Sequence, residues 1–246
     1  MADLDYLDAI RANAESLADA ADAAGVDARV PSCPDWVVSD LLEHIGTVHR
    51  WAATNCDRPV DAPYVRSSQA GIRAPDDPAA RPQWVRDGAT LLVDTLAAHD
   101  PDDPCWTFAP PANTGFWRRR QAHETAMHRV DAQLARGAAE PIDAALAADG
   151  IDEWLWLVPR RPWVREKLGG SGETIHFHCT DVDGEWLVRL APDGLEVTAE
   201  HAKGDVAARG AASDLLFWLM GRGPVGRLEV FGDATLLDRW REQVQF

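Results

Sequence analysis

Lysine is almost missing from this 246-residue chain: Lys167 and Lys203 are the only two. Arginine supplies the rest of the 24 basic side chains, which face 40 acidic ones for a formal net charge of −16. A field of that sign repels phosphate backbones and anionic lipid headgroups, so neither nucleic acid nor membrane is expected as a partner. The contiguous Arg118, Arg119 and Arg120 leave room for one local basic patch. Cysteine is sparse too. Cys33, Cys56, Cys105 and Cys179 include no C-x-x-C pair, which excludes a zinc ribbon and a thioredoxin-type redox motif. Reduced, core-type thiols are expected instead. No apolar run approaches the roughly 20 residues that span a bilayer. The N-terminus is acidic where a signal peptide is basic and then apolar, so a soluble, cytoplasmic protein is expected, as monomer or dimer.

What the chain does hold is a sizeable apolar content, 46% of residues, enough for a packed core. Helical periodicity dominates the first half. Leu4, Leu7, Ile10 and Leu17 recur at helical spacing before Gly25. The turn Pro31-Ser-Cys-Pro-Asp-Trp36 precedes a second helix running to about Asn55, with Asp35 as its expected cap. A Pro- and Asp-rich stretch over 57–80 reads as a long crossover loop, and a third helix is expected over Gln83–His99. After an irregular connection a fourth runs from Phe116 to Arg136, closed by Gly137. This is the pattern of a four-helix bundle, residues 1–140.

From 141 to 246 the character changes to a smaller α+β domain. A helical stretch over 142–168, interrupted at Pro159 and Pro162, precedes strand patterns at Thr174–Thr180, Glu185–Leu190 and Leu195–Ala199. A helix over Ser213–Met220, a strand over Arg227–Phe231 and a final helix ending near Gln245 complete it.

The densest set of ligand-type residues is His123-Glu124-Thr-Ala-Met-His128-Arg-Val-Asp131. Glu124 and His128, four apart, emerge from one helix face and suit a shared divalent ion. The same spacing is common on solvated faces, and the apolar stripe Met127, Val130, Leu134 omits both residues, so the pair alone leaves both roles open. His123 lies nearer that stripe, as a packed histidine would. On the second helix, His44 and His49 are about 140° apart, so both cannot face one ion, and periodicity does not choose between them. Asp131 is open to two roles, a partner of His128 or a surface charge. Trp36, Trp51, Trp117 and Trp218 are open to pocket lining or to the core.

Three motifs in order make the chain recognisable. Cys33-Pro-Asp-Trp36 followed by Asp40-Leu-Leu-Glu-His44 resembles the second-helix signature of the DinB-like metal-binding bundles, and Arg120 to Asp131 resembles the fourth-helix signature. With Gly210-Ala-Ala-Ser213-Asp-Leu-Leu, Leu219-Met-Gly-Arg222 and Val230-Phe-Gly-Asp233, the chain is similar to the mycothiol-dependent maleylpyruvate isomerase family from about residue 5 onward. The resemblance implies a divalent metal, usually zinc, held by His44, Glu124 and His128. It implies no ligand role for His49, and a sterol-carrier-like fold for the C-terminal domain. It also implies a catalytic Arg222. A guanidinium there clamps a substrate carboxylate, or closes its helix against the dipole; both roles are open.

The chemistry so implied is thiol chemistry on a small electrophile or acidic substrate, with mycothiol as cosubstrate, zinc activating the thiol. Isomerisation and S-transfer are both compatible with it. The alternative is a non-catalytic binding module, its metal structural or absent.

Overall fold

A computed structural model describes residues 4–161 and 170–244. The chain divides into two compact units, Asp5–Glu140 and Pro141–Phe246 with Met1–Leu4.

The first unit contains α1 (Tyr6–Ala24), α2 (Val38–Cys56), α3 (Arg81–Ala97) and α4 (Thr114–Leu134). Asp5 caps α1 by accepting the Asp8 N–H, and Gly25 ends it at φ 87°, its N–H donating to Ala21. Around the bundle, α1 packs on α4 and α3, while α2 packs on α3 and α4. Leu17, Leu41, Leu42, Ile45 and Val85 form the fully buried centre of one cluster. Removing each of these side chains from water contributes about 1.5–3 kcal/mol. The expected cap of α2 is corrected. Asp35 is exposed in the preceding turn, and Asp40 instead accepts the Val37 N–H at 3.0 Å. The stretch 57–80 carries only two short 3-10 turns, Ser67–Gln69 and Pro78–Ala80. Helix α4 starts earlier than its apolar spacing suggests because the Asn113 side chain accepts the Phe116 N–H.

Helix α4 departs most from the amphipathic pattern. Every residue from Arg120 to Gln133 is buried, Glu124 alone excepted. Its polar residues thus enter the interior with its apolar ones, which a one-sided stripe does not foretell.

In the second unit, Asp143 caps α5 (Ala144–Leu157), which gives way to a 3-10 turn, Val158–Arg160, at Pro159. The remainder of the expected helical stretch, Pro162 included, lies outside the described residues, as does Gln245. Five strands follow: β1 (Thr174–Cys179), β2 (Glu185–Ala191), β3 (Gly194–Thr198), β4 (Val206–Gly210) and β5 (Glu229–Gly232). Their order is β3-β2-β1-β4-β5. Only β1 and β4 run parallel. The sequence pattern does not reveal β4: Val-Ala-Ala-Arg-Gly is short and built of small residues, and it is positioned by pairing on both edges.

Helices α6 (Ala212–Leu219) and α7 (Thr235–Val244) complete the unit. Phe177 of β1 lies 6.0 Å, ring to ring, from both Trp218 of α6 and Trp240 of α7. Odd-numbered positions of β1 therefore face the helices, and His176 and His178 occupy the opposite face. Among the described residues, no helix is long and apolar enough to cross a membrane.

Candidate metal centre

The α2–α4 interface brings His44, Glu124 and His128 together, one ligand atom from each lying within 4.8 Å of the others. Glu124 is the hub. Its Oε1 stands 3.4 Å from His44 Nε2 and 3.3 Å from His128 Nε2, while Oε2 accepts from Arg120 at 2.9 Å. The two imidazoles meet edge to face at 4.9 Å. The donor set suits zinc: two imidazoles and one carboxylate, leaving a coordination position open. The His44 side chain is 35% exposed and that of Glu124 25%, so the cluster has a wet side.

Behind it the structure is buried and hydrogen-bonded. Asp131 is fully buried. Its Oδ2 lies 2.9 Å from His128 Nδ1 and its Oδ1 accepts from Ser32 at 2.5 Å. The surface-charge role is thereby removed. With Nδ1–H committed to Asp131, the Nε2 lone pair of a neutral His128 is aimed at the centre. Ser32 comes from the turn before α2, which also delivers Trp36. That indole lies 5.1 Å from the His44 ring and stacks 6.4 Å from His128.

Electrostatics follow the contacts. Burial pushes the Glu124 carboxyl up, but the bonds from His128 and His44 and the Arg120 charge outweigh it and hold Glu124 well below the usual carboxylate range. Burial lowers His128, and the Asp131 and Glu124 carboxylates more than reverse this, raising it to about 9 in the metal-free chain. A metal held there would therefore displace a proton from its Nε2.

The other predicted residues fall elsewhere. His49 is buried, 2.9 Å from Thr125 Oγ1, and stays out of the cluster. Thr125 gives its hydroxyl proton to Gln121 at 2.7 Å, so it accepts from His49 Nε2–H and leaves the buried Nδ1 unpartnered. His123 is buried against Tyr6 of α1, edge to face at 6.2 Å. Trp117 and Trp218 are core, and Trp51 packs on Trp106 and Trp117. Arg222 belongs to the second unit, where it closes α6. Gly221 takes φ 76°, the Arg222 N–H donates to Phe217 at 2.7 Å, and its guanidinium donates to Met220 at 2.6 Å. Sequence reasoning named Arg120 only within a basic run and a helix signature, and gave neither it nor Ser32 a role at the site. The i,i+4 spacing of Arg120 and Glu124 is the signal that was available for the first.

None of the four cysteines forms a disulfide. Burial raises the Cys56 and Cys179 thiols to about 12 and Cys105 to about 11, which removes these three as thiolates at neutral pH.

Two family models match the chain: the mycothiol maleylpyruvate isomerase N-terminal domain over residues 7–133 and its companion C-terminal domain over residues 145–239. Among solved structures, a mycothiol-dependent maleylpyruvate isomerase in a histidine-to-alanine variant is similar at 12% identity and TM-score 0.61, covering 92% of this chain and 91% of that one. A second structure of a mycothiol-dependent maleylpyruvate isomerase is similar at 12% identity and TM-score 0.58, with the same coverage. At that identity the likeness concerns the fold. No curated protein matches the chain by sequence.

Proposed function

This chain belongs to the mycothiol maleylpyruvate isomerase family, and from that premise we propose that it is a metal-dependent enzyme in which mycothiol is the thiol cosubstrate. The observation that carries the reading is the His44–Glu124–His128 set, with Asp131 fixing the ring of His128 and one side open to solvent. A zinc ion there would supply the Lewis acidity that holds a bound thiol as thiolate at neutral pH. The chain's own buried thiols, raised to about 11 and 12, favour an external nucleophile.

The reaction that fits is cis–trans isomerisation of an acidic, conjugated enone such as maleylpyruvate. The thiolate forms a C–S bond at the double bond while the π pair moves onto the carbonyl oxygen as an enolate. Rotation about the resulting single bond follows. The enolate pair returns, the C–S bond breaks and the thiolate is regenerated, so nothing is consumed. Arg222 is assigned to the substrate carboxylate, where a guanidinium offers paired donors and stabilises developing enolate charge. If the enolate carbon takes a proton from water before elimination, the thioether adduct persists and the same site performs S-transfer.

The test is elemental analysis of untagged protein combined with turnover of maleylpyruvate and general electrophiles with mycothiol. Loss of one metal equivalent in His44→Ala and His128→Ala, with kcat/KM down by about 10³ or more, supports the reading. Unchanged metal content in both variants, or no thiol-dependent turnover by metal-loaded protein, replaces it with the binding module.

A further inference from the structure

The second unit contains three of the chain's eight histidines, His176, His178 and His201, and all three converge on one carboxylate, that of Glu185. His176 and His178 share one face of β1, opposite that of Phe177, because they are two residues apart. Glu185 is the direct cross-strand partner of His178 on β2. His201 arrives from the connection between β3 and β4. Ligand atoms of the four residues all lie within 4.8 Å of one another.

The contacts are close and unequal. Glu185 Oε1 stands 2.9 Å from His178 Nδ1, while Oε2 stands 3.3 Å from His176 Nε2 and 2.5 Å from His201 Nδ1. The three rings lie 5.8–6.5 Å apart, centre to centre. His176 is 7% exposed, and its buried Nε2, aimed into the cluster, has the 3.3 Å contact with the Glu185 carboxylate but no well-directed hydrogen bond. A buried nitrogen so placed is poorly satisfied. Protons are a poor remedy: charging all three rings sets three cations around one anion. One cation at the shared centre uses the lone pairs without that repulsion. The surroundings favour it, since His178, Glu185 and His201 line a cavity of about 660 Å³ whose wall also carries Asp181, Asp183 and Glu200.

We propose that His176, His178, Glu185 and His201 form a second metal site, for a divalent transition metal of the zinc class. Three imidazoles and a carboxylate complete a tetrahedral set, as closed sites do, so the ion binds and braces here and leaves no position for substrate. It ties the β3–β4 connection, through the exposed His201, to the central strand β1 and its neighbour β2. This site is independent of the one on α2 and α4.

The test uses the full chain carrying His44→Ala and His128→Ala, stripped of metal and titrated with cobalt(II). One equivalent should bind with the intense visible absorption of a tetrahedral ion, and zinc should displace it. Adding His178→Ala should abolish the absorption. Adding His201→Ala, an exposed change that leaves the sheet intact by circular dichroism, should weaken binding roughly 100-fold. No cobalt absorption in the doubly altered chain, or undiminished affinity after His201→Ala, overturns the proposal whatever becomes of the first site.

Discussion

The Nδ1 of His128 lies 2.9 Å from the Oδ2 of Asp131, a carboxylate with no exposure to solvent. Three residues along one helix thus fix which nitrogen of the imidazole faces Glu124 and His44. Asp131→Asn keeps the volume but removes the charge that makes Nδ1–H the favoured tautomer. Zinc affinity at the α2–α4 site should fall about 10–100-fold, read by competition with a chromophoric chelator, while far-UV dichroism is unchanged. Unaltered affinity would show that the carboxylate does not tune the ligand.

His49 should give the protein an acid-sensitive stability. Burial, then the Arg50 charge, lowers its pKa to about 3, against 6.5 for the free group. Since the folded value is the lower one, the unfolded chain takes up the proton first. The neutral form's contribution is complete above about pH 6.5 and is lost as pH falls toward 3, at up to about 1.4 kcal/mol per pH unit. Urea unfolding of His49→Gln between pH 7 and 5 should show a slope shallower than wild type, by about 2 kcal/mol over the range. Parallel curves would count against it.

Gly46, two residues from His44, lets α3 approach α2. A Cβ there would lie 2.5 Å from two ring carbons of Trp84, and that ring is held by Arg50, whose guanidinium sits 4.2 Å from its centre. Gly46→Ala should therefore destabilise by about 1–3 kcal/mol despite the better helix propensity of alanine, a melting drop measurable by calorimetry. A rise in melting temperature would mean that the indole yields freely.

Arg222 separates helix closure from catalysis experimentally. Its guanidinium donates to the Met220 carbonyl at the end of α6, so Arg222→Ala, which keeps the backbone N–H bond to Phe217, should cost about 1 kcal/mol of stability on that account alone. If it also holds the substrate carboxylate, kcat/KM should fall by roughly 10² or more, and Arg222→Lys should recover stability better than activity. Equal recovery of both would restrict Arg222 to the cap.

Much of this architecture could be read from residue spacing. Apolar recurrence located α1 to α4 to within a few residues, and Asp-Gly pairs marked the hairpins joining β1, β2 and β3. β4 escaped because alanine, arginine and glycine carry no strand pattern; its neighbours impose it. The candidate ligand trio was nameable through a resemblance, whereas spacing alone left His44 and His49 tied. What separates them is a long-range contact: His49 meets Thr125 of α4 and His44 meets Glu124. Asp131 was ambiguous for the same reason, since one of its hydrogen-bond partners, Ser32, lies 99 positions earlier in the chain. The histidine cluster of the sheet left a visible trace, His-x-His on a strand, but Glu185 and His201 join it only through sheet register and a returning loop.

Helix α4 buries polar and apolar residues alike from Arg120 to Gln133, sparing only Glu124. An ordinary surface helix tolerates substitution in a wave, permissive on every third or fourth residue where it meets water. A saturation map of this helix should instead be flat, with intolerance at each successive position. Small hydrophobes would be rejected at His128 and Asp131, and polar residues at Ala126 and Val130.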